Sequence, residues 1–587
     1  MSRDLDKPNS SGKRVHALLV LGVTAATLVY DPLASAAQPK RFVALLLSVA
    51  AIAWVLGAWA RQPRNSRKLS LGVSAGAWML FVAWSMTSIL WGKPVGLDVA
   101  MAWMAGAGIV LATGVLSANR VQTTALHSGW WIGTVSSVAV IAQWLSGVRG
   151  IALHGTQGNG NWLGLLLAIT LPLSAGFVAT GRSKGAWWWV AGLVGAILQL
   201  PALVLAGSRV AWVAAAAACA TAMLVALSRR ARLSRGIAAF MLVGAVASLS
   251  TESLARSAGP EAELIGAEAK ESLGGRTWIW RTSMHAARSA LPFGTGLGGF
   301  GHAYLEAQGQ ALRQMPVPDA SRQFHNATTA HQDWIQALVE TGPVGLALLV
   351  TCVAAAMVGH LRKRSWAAAG ALVAFIACAC GDSPLRQPAI VVLVCLLFAS
   401  APRRRWPWPT STLSVGLVVT SLSMAAALAG WMATRWETEA GNALLDTRIA
   451  LLQRAIRLDG RSGQAELSLG LAKLELAEPK GAIPLLERSR DRLANVGTDI
   501  ALGNAWLESG DAARAERSYR RALAMHPGSF RGHANLAEAL QEQGKLDEAG
   551  RQLALAKRLY PGHPKLPEME ERLRRALRDR DLSESLP

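Results

Sequence analysis

His331 stands at the head of the stretch Ala330-His331-Gln332-Asp333-Trp334, eleven residues before the pair Gly342-Pro343. An imidazole titrates near neutral pH, so a histidine is the natural acceptor for an alcohol proton. If the intervening run is helical, eleven residues at about 100° each make close to three turns. His331 and Gly342 then share a face and lie roughly 16 Å apart along the axis. The glycine–proline pair breaks the helix where the chain passes into an apolar segment. The spacing thus predicts a titratable ring held above a lipid–water boundary.

Further polar groups could work with that ring. Gly207-Ser208-Arg209-Val210-Ala211-Trp212 puts a lone arginine at the start of an apolar run. Such an arginine either snorkels to lipid phosphates or pairs with a bound anion. Arg276 and Arg281 lie in the stretch Gly274-Gly275-Arg276-Thr277-Trp278-Ile279-Trp280-Arg281. A guanidinium fork fits phosphate oxygens bidentately. A histidine beside two such cations would be held unprotonated, ready to act as a base. The glycines at 294, 296, 298 and 299 form no dinucleotide fingerprint and read as a turn at the membrane surface. Asn161, ending Gly158-Asn159-Gly160-Asn161, reads first as a helix N-cap and second as a ligand contact. His302 and His325 compete with His331. His325 and His331 lack metal-site spacing or a neighbouring cysteine, so no metal is expected. No serine occupies a nucleophile elbow.

The elements that must position these groups are mostly membrane spans. The chain is 52% hydrophobic and 16% charged. That is too apolar for an ordinary soluble protein. About thirteen runs approach the ~20 residues that cross a bilayer. They fall near 15–36, 41–60, 69–91, 97–117, 125–145, 161–180, 186–206, 209–227, 236–250, 343–359, 366–381, 388–400 and 411–432. Loops rich in arginine and lysine follow the second, eighth, tenth and twelfth runs, at 61–68, 229–235, 362–364 and 403–405. With Lys13 and Arg14 inside, the positive-inside rule places every one of these basic clusters in the cytoplasm. The net charge of +22 is therefore a topological signal and not a nucleic-acid footprint. An arginine on the opposite face, such as Arg209, is then less expected, which favours a bound anion for it. Ala34-Ser35-Ala36 resembles a signal-peptidase site, but Asp31-Pro32 interrupts the run and an uncleaved anchor is the expectation.

Two long polar parts fall outside the cytoplasm: a loop from about 251 to 342, and everything after about Arg435. In the latter, Leu502, Gly510 and Pro527 return as Leu536, Gly544 and Pro561. That period of about 34 residues resembles tetratricopeptide repeats. Residues 464–494 read as a degenerate third copy and 439–460 as a preceding helix pair or cap. Such units stack to bury their apolar faces. They present a surface for a protein or polymer partner, or serve as a solvated lid. The expected organisation is all-α: a polytopic membrane protein of about 12–13 transmembrane helices, a large periplasmic loop and a C-terminal helical-repeat domain. Its divisions are a cytoplasmic tail (1–14), a transmembrane domain (15–435), repeats (436–575) and a flexible tail (576–587).

The motifs together are similar to those of the O-antigen ligase and polymerase superfamily of bacterial membrane glycosyltransferases. His331-Gln332, nine residues, then Gly342-Pro343-Val344-Gly345 matches that family's histidine pattern in full. Ser208-Arg209 with Ala211-Trp212 looks like its arginine motif, and Gly275-Arg276 with Trp280 like its large-loop motif. Gly158-Asn159-Gly160-Asn161 resembles its asparagine-rich span start, with a glycine where proline is frequent. The resemblance covers about 155–350. It implies an inner-membrane enzyme using an undecaprenyl-diphosphate-linked glycan at the periplasmic face, inverting and without metal or cofactor. His331 would be the base, and Arg209, Arg276, Arg281 and Asn161 would bind substrate. The acceptor would be lipid A core, a lipid-linked repeat unit or, for a protein O-oligosaccharyltransferase, a protein hydroxyl. A polysaccharide transporter or non-enzymatic scaffold is the competing class; nucleic acid is not an expected partner.

Overall fold

The computed structural model describes residues 10–63, 65, 67–92, 96–150, 153–181, 185–227, 261–401 and 406–585. The expected span at 236–250, the first part of the loop at 251–260, and the basic clusters at 229–235 and 403–405 lie outside these residues. The chain forms two compact units.

The first unit comprises Met1–Ile89, Gly96–Lys270 and His331–Trp431. Each apolar run read from the sequence within the described residues contains a helix. Seven are long and apolar enough to cross a membrane, among them Gly160–Ala179 and Asp333–Arg362, and five more are shorter apolar helices. All residues of the short helix Pro388–Ser400 are buried, so it is hydrophobic on every side because protein surrounds it. The helices approach through small residues and bond across their backbones. Ser48 Oγ donates to Ala105 O at 2.7 Å, and Ser74 Oγ to Phe398 O at 2.6 Å. Among the described residues, sheet is confined to one antiparallel ribbon pairing Leu69–Leu71 with Trp406–Trp408.

The second unit comprises Leu90–Val95, Glu271–Ala330 and Met432–Pro587. Its C-terminal part is a stack of helix pairs. Ser462, Asn495 and Ser529 cap the first helix of three successive pairs, each side chain accepting a backbone N–H two or three residues on. The even spacing of these caps makes the degenerate copy a true pair, Gly463–Glu475 with Pro479–Arg492. Each first helix also buries a polar side chain that the second helix of its own pair meets. Glu466 is reached by Arg488 and Arg492, Asp499 by Arg521, and His533 by Gln552. Within the segment expected as a flexible tail, the helix Leu566–Ser585 runs as far as Ser585. The pairs Arg574–Glu570, Arg575–Glu571 and Arg580–Asp547 support that extension.

Glu466 is 1% exposed at its side chain and takes two arginine contacts at 2.7 Å, whereas the arginines remain partly in solvent. Glu466→Ala should therefore cost the repeats about 2 kcal/mol, well short of a fully buried ion pair. Pulse proteolysis of the full-length protein in urea, scored on the repeat region, checks this.

Candidate functional site

His331 lies just outside its helix. Its backbone is left-handed (φ 49°), Gln332 is extended, and the helix begins at Asp333. Gly342 (φ 67°, ψ -172°) then interrupts that helix before Pro343. The three-turn placement of His331 above Gly342 therefore fails at both ends, although the glycine–proline break is present. Tertiary contacts set the ring's position instead. Positive φ is uncommon outside glycine. Only His331, Arg364 and Ala477 adopt it among the described non-glycine residues. Such a backbone at a candidate base is where local strain and function tend to coincide.

The turn at 331–333 is tied residue by residue to the end of the helix Trp366–Gly381 and the segment after it. His331 Nδ1 lies 3.7 Å from Asp382 Oδ1. That is an ion-pair distance, too long for a direct hydrogen bond. Gln332 Nε2 donates to Cys380 O at 3.4 Å, and Leu385 N donates to Asp333 Oδ2 at 2.9 Å. The Asp382 side chain is 10% exposed and the His331 side chain 43%, so the carboxylate backs a ring that is open to solvent. Among the described residues its ionic partner is a carboxylate, not one of the expected cations. Deeper in the helix, buried Glu340 accepts from Gln336 Nε2 at 2.7 Å and faces Arg386 at 3.7 Å. Trp84 Nε1 donates to Thr341 O at the break.

Arg209 is the first residue of the helix Arg209–Leu227. Gly207 (φ 64°) makes the sharp return before it, and buried Ser208 accepts the Ala211 N–H. The Arg209 side chain is exposed, with no hydrogen bond or ion pair among the described residues. Its helix packs against Trp366–Gly381. A methyl added to Gly381 would come within 2.9 Å of the Val210 side chain. His331, Asp382, Gly381, Val210 and Arg209 therefore form one continuous neighbourhood.

Asn161 joins it from a third helix. The expected cap at Asn161 moves to Asn159, whose Oδ1 accepts the Asn161 N–H at 2.7 Å. Asn159 precedes the helix Gly160–Gly181 and can fold back over its first N–H groups, whereas Asn161 is already inside it. A methyl on Gly160 would meet Ala206 O at 2.7 Å, and one on Gly164 would meet Ser208 Cβ at 2.8 Å. Two helix N-termini thus lie together, one bearing Arg209, and concentrate positive partial charge.

The second unit holds Arg276 and Arg281 on the helix Glu261–Ser289. Five residues apart, they are about 140° apart around it and do not share a face. Arg281 lines an open cleft of about 700 Å³ with Trp280, His285 and Arg288. Trp280 Nε1 donates to the carbonyl of Ala330, the residue before His331, at 3.0 Å. Gly294, Gly296 and Gly298 have φ of 80°, 82° and 83°. That left-handed backbone, open to glycine, makes the expected turn. The competing histidines have structural work. His302 bonds to Arg490 O, while the His325 backbone is held at both N–H and C=O by buried Gln308. Gln308 also accepts from Trp278 Nε1 and Tyr304 Oη. Asp382, Arg386 and Asp333 were not among the sequence candidates. Their one signal is the polar break Asp382-Ser383-Pro384-Leu385-Arg386 between two short apolar runs, on the same expected face as His331.

Comparison with known proteins agrees with the motifs. The O-antigen ligase family profile matches residues 194–350, and a tetratricopeptide repeat profile matches 507–566. These are the families the sequence resembles, and seven helices among the described residues are long and apolar enough to cross a membrane. No curated protein matches. Two crystal structures of MamA are 21% and 22% identical, each over 26% of this chain and 84% and 90% of theirs, both at TM-score 0.21. A structure of the APC/C hetero-tetramer Cut9–Hcn1 is 11% identical over 82% of this chain and 89% of its own, at TM-score 0.23. At such scores these likenesses do not bear on the fold.

Gln308→Met removes a buried group with four partners and leaves Trp278, Tyr304 and His325 short of theirs. The loop around 300–328 should lose about 2–4 kcal/mol of local stability. Amide exchange of that segment in the full-length protein, compared with the repeats, reads the loss.

Proposed function

We propose that this protein is an inverting membrane glycosyltransferase that moves an undecaprenyl-diphosphate-linked glycan onto an acceptor hydroxyl at the periplasmic face of the bacterial inner membrane. The observation that carries this reading is the juxtaposition of His331, backed by Asp382, with the Arg209 helix start. A base and an anion site within one neighbourhood are what displacement of a diphosphate by an alcohol requires.

In that reaction His331 Nε2 takes the proton of the acceptor hydroxyl as its oxygen attacks the anomeric carbon. The bond from that carbon to the diphosphate oxygen breaks on the opposite face, and the electron pair leaves on undecaprenyl diphosphate. Asp382 lies on the Nδ1 side. A carboxylate there favours the tautomer protonated on Nδ1, which leaves the Nε2 lone pair free, and offers opposite charge to the imidazolium formed. Arg209 and the two helix N-termini, with Asn161 beside them, receive the diphosphate. Arg276 and Arg281 add further guanidinium groups, as the resemblance implies. Diphosphate is a good leaving group, so cations and one base suffice. The face built from the first helices of the repeats, with a cleft of about 650 Å³ that includes Asn504 and Asn535, is the surface offered to a protein or polymer partner.

His331→Ala should reduce transfer by roughly 10²–10⁴-fold. Asp382→Asn should reduce it on the order of 10²-fold with the protein still folded. Lipid-linked and surface glycan in the producing cell are the measurements. Normal glycan from a fully produced His331→Ala protein would sink the reading. Chains collapsed to a single repeat unit indicate a polymerase, and full chains stranded on the carrier indicate a ligase.

A further inference from the structure

Within the second unit the large loop lies against the repeats, and its contacts follow the repeat period. His302 Nε2 donates to Arg490 O at 3.2 Å, and Arg313 Nη1 to Ala524 O at 2.6 Å. Residues 490 and 524 are one repeat apart and hold the same place near the ends of the helices Pro479–Arg492 and Ala512–Met525. His302 lies within the helix Phe300–Leu312 and Arg313 just beyond it. Eleven residues of helix put the two about three turns apart on one face. Carbonyls in the last turn of a helix lack intrahelical donors, and cationic or N–H-bearing side chains are the usual partners.

A second set of contacts has the same period. Gly301 abuts Ala494, where a methyl on the glycine would come within 2.8 Å, and Gly528 abuts the Ser321 backbone too closely for a methyl. Residues 494 and 528 are again one repeat apart. Gly309 rests on the backbone at Ala524 and Met525 so closely that no side chain fits. Phe324 stacks on His526, with ring centroids 3.8 Å apart and planes 9° apart. Burial, helped by His533, pushes the His526 imidazole down to about 4, so the stacked ring is neutral at neutral pH. The loop helix Val317–Gln323 packs on a third second-helix, Leu546–Leu559.

We propose that the repeats are an internal docking platform for the loop, and that their period positions Arg276 through the helix Phe300–Leu312. The connection is continuous. The repeats hold that helix, its Gln308 and Tyr304 are bonded together, and Gln308 accepts from Trp278, two residues from Arg276. Arg313, His302, Gly309 and Gly528 are positioning residues. The loop covers the ends of the second helices and leaves the first-helix cleft to a partner.

The functional arm of this inference rests on the transfer reaction proposed above; the docking arm does not. Full-length protein in lipid nanodiscs carries Gly309→Val or Gly528→Val as a wedge, with Gly550→Ala as a control because a methyl there meets nothing closer than 3.7 Å. Amide exchange over 300–328 should rise at least about tenfold in the wedge variants, while 530–559 keeps its protection. With undecaprenyl-diphosphate-linked glycan as donor, KM should rise about tenfold and kcat should change less than threefold. If a wedge variant does not fold, His302→Ala with Arg313→Ala removes the two carbonyl contacts without a clash. That double variant should shift exchange and donor KM in the same directions, by a few-fold. Loop protection equal to the control overturns the docking. Increased loop exchange with an unchanged donor KM overturns the positioning. Full activity in His331→Ala overturns the transfer reaction alone and leaves the exchange result standing.

Discussion

A membrane-crossing helix satisfies its own backbone everywhere except in its first and last turns, and hydrocarbon tolerates exposed polar groups nowhere between. Chemistry in such a protein is therefore pushed to helix ends, and this molecule follows that constraint throughout. Arg209 and Asn161 stand in the first turns of their helices. Asp382 follows the end of Trp366–Gly381, and His331 precedes the start of Asp333–Arg362. The same unsatisfied ends recur in the water-exposed part, where the terminal carbonyls of the repeat helices accept the loop's His302 and Arg313. One backbone requirement thus organises both the candidate site and the attachment of the loop.

Holding a base at a helix end needs more than one contact, because a turn is softer than a helix. The turn at 331–333 has one interaction per residue with the 380–385 segment. The left-handed backbone of His331 is tolerated because those neighbours over-determine it. Glu340 and Arg386 do similar work one layer down. The buried Glu340 carboxylate persists because Gln336 and Arg386 share its charge. The polar layer under the ring is thus a support, and the ring itself is the part left open.

The repeats change meaning in this setting. A helical-repeat tail read alone suggests an appendage for recruiting something else. In the structure, part of its surface is already occupied by the chain's own loop, at places set by its own period. The loop sits at the ends of the second helices, and an open cleft runs along the first.

Much is legible in the sequence because it rests on local or periodic physics. Apolar runs of span length become helices wherever they are described, and Gly342-Pro343 breaks its helix. Glycines at 294, 296 and 298 take the backbone that glycine adopts most readily, and the repeat period becomes stacked helix pairs. His331 and Arg209 are recognisable from residue type and placement at span ends. Periodicity misleads where a residue lies just outside the periodic element. His331 has no helix face because it is not in the helix, and the cap belongs to Asn159 because Asn161 is already inside. Asp382 is visible only as one polar residue in a break, since nothing local says that a carboxylate so far along the chain faces a given imidazole. The fit of Gly381 against Val210, and of Arg490 and Ala524 against the loop, are likewise properties of packing between distant segments. Helices, their ends and the repeat follow from the chain read alone. Which ends meet is settled by the fold, because side-chain complementarity between distant helices leaves no local signature.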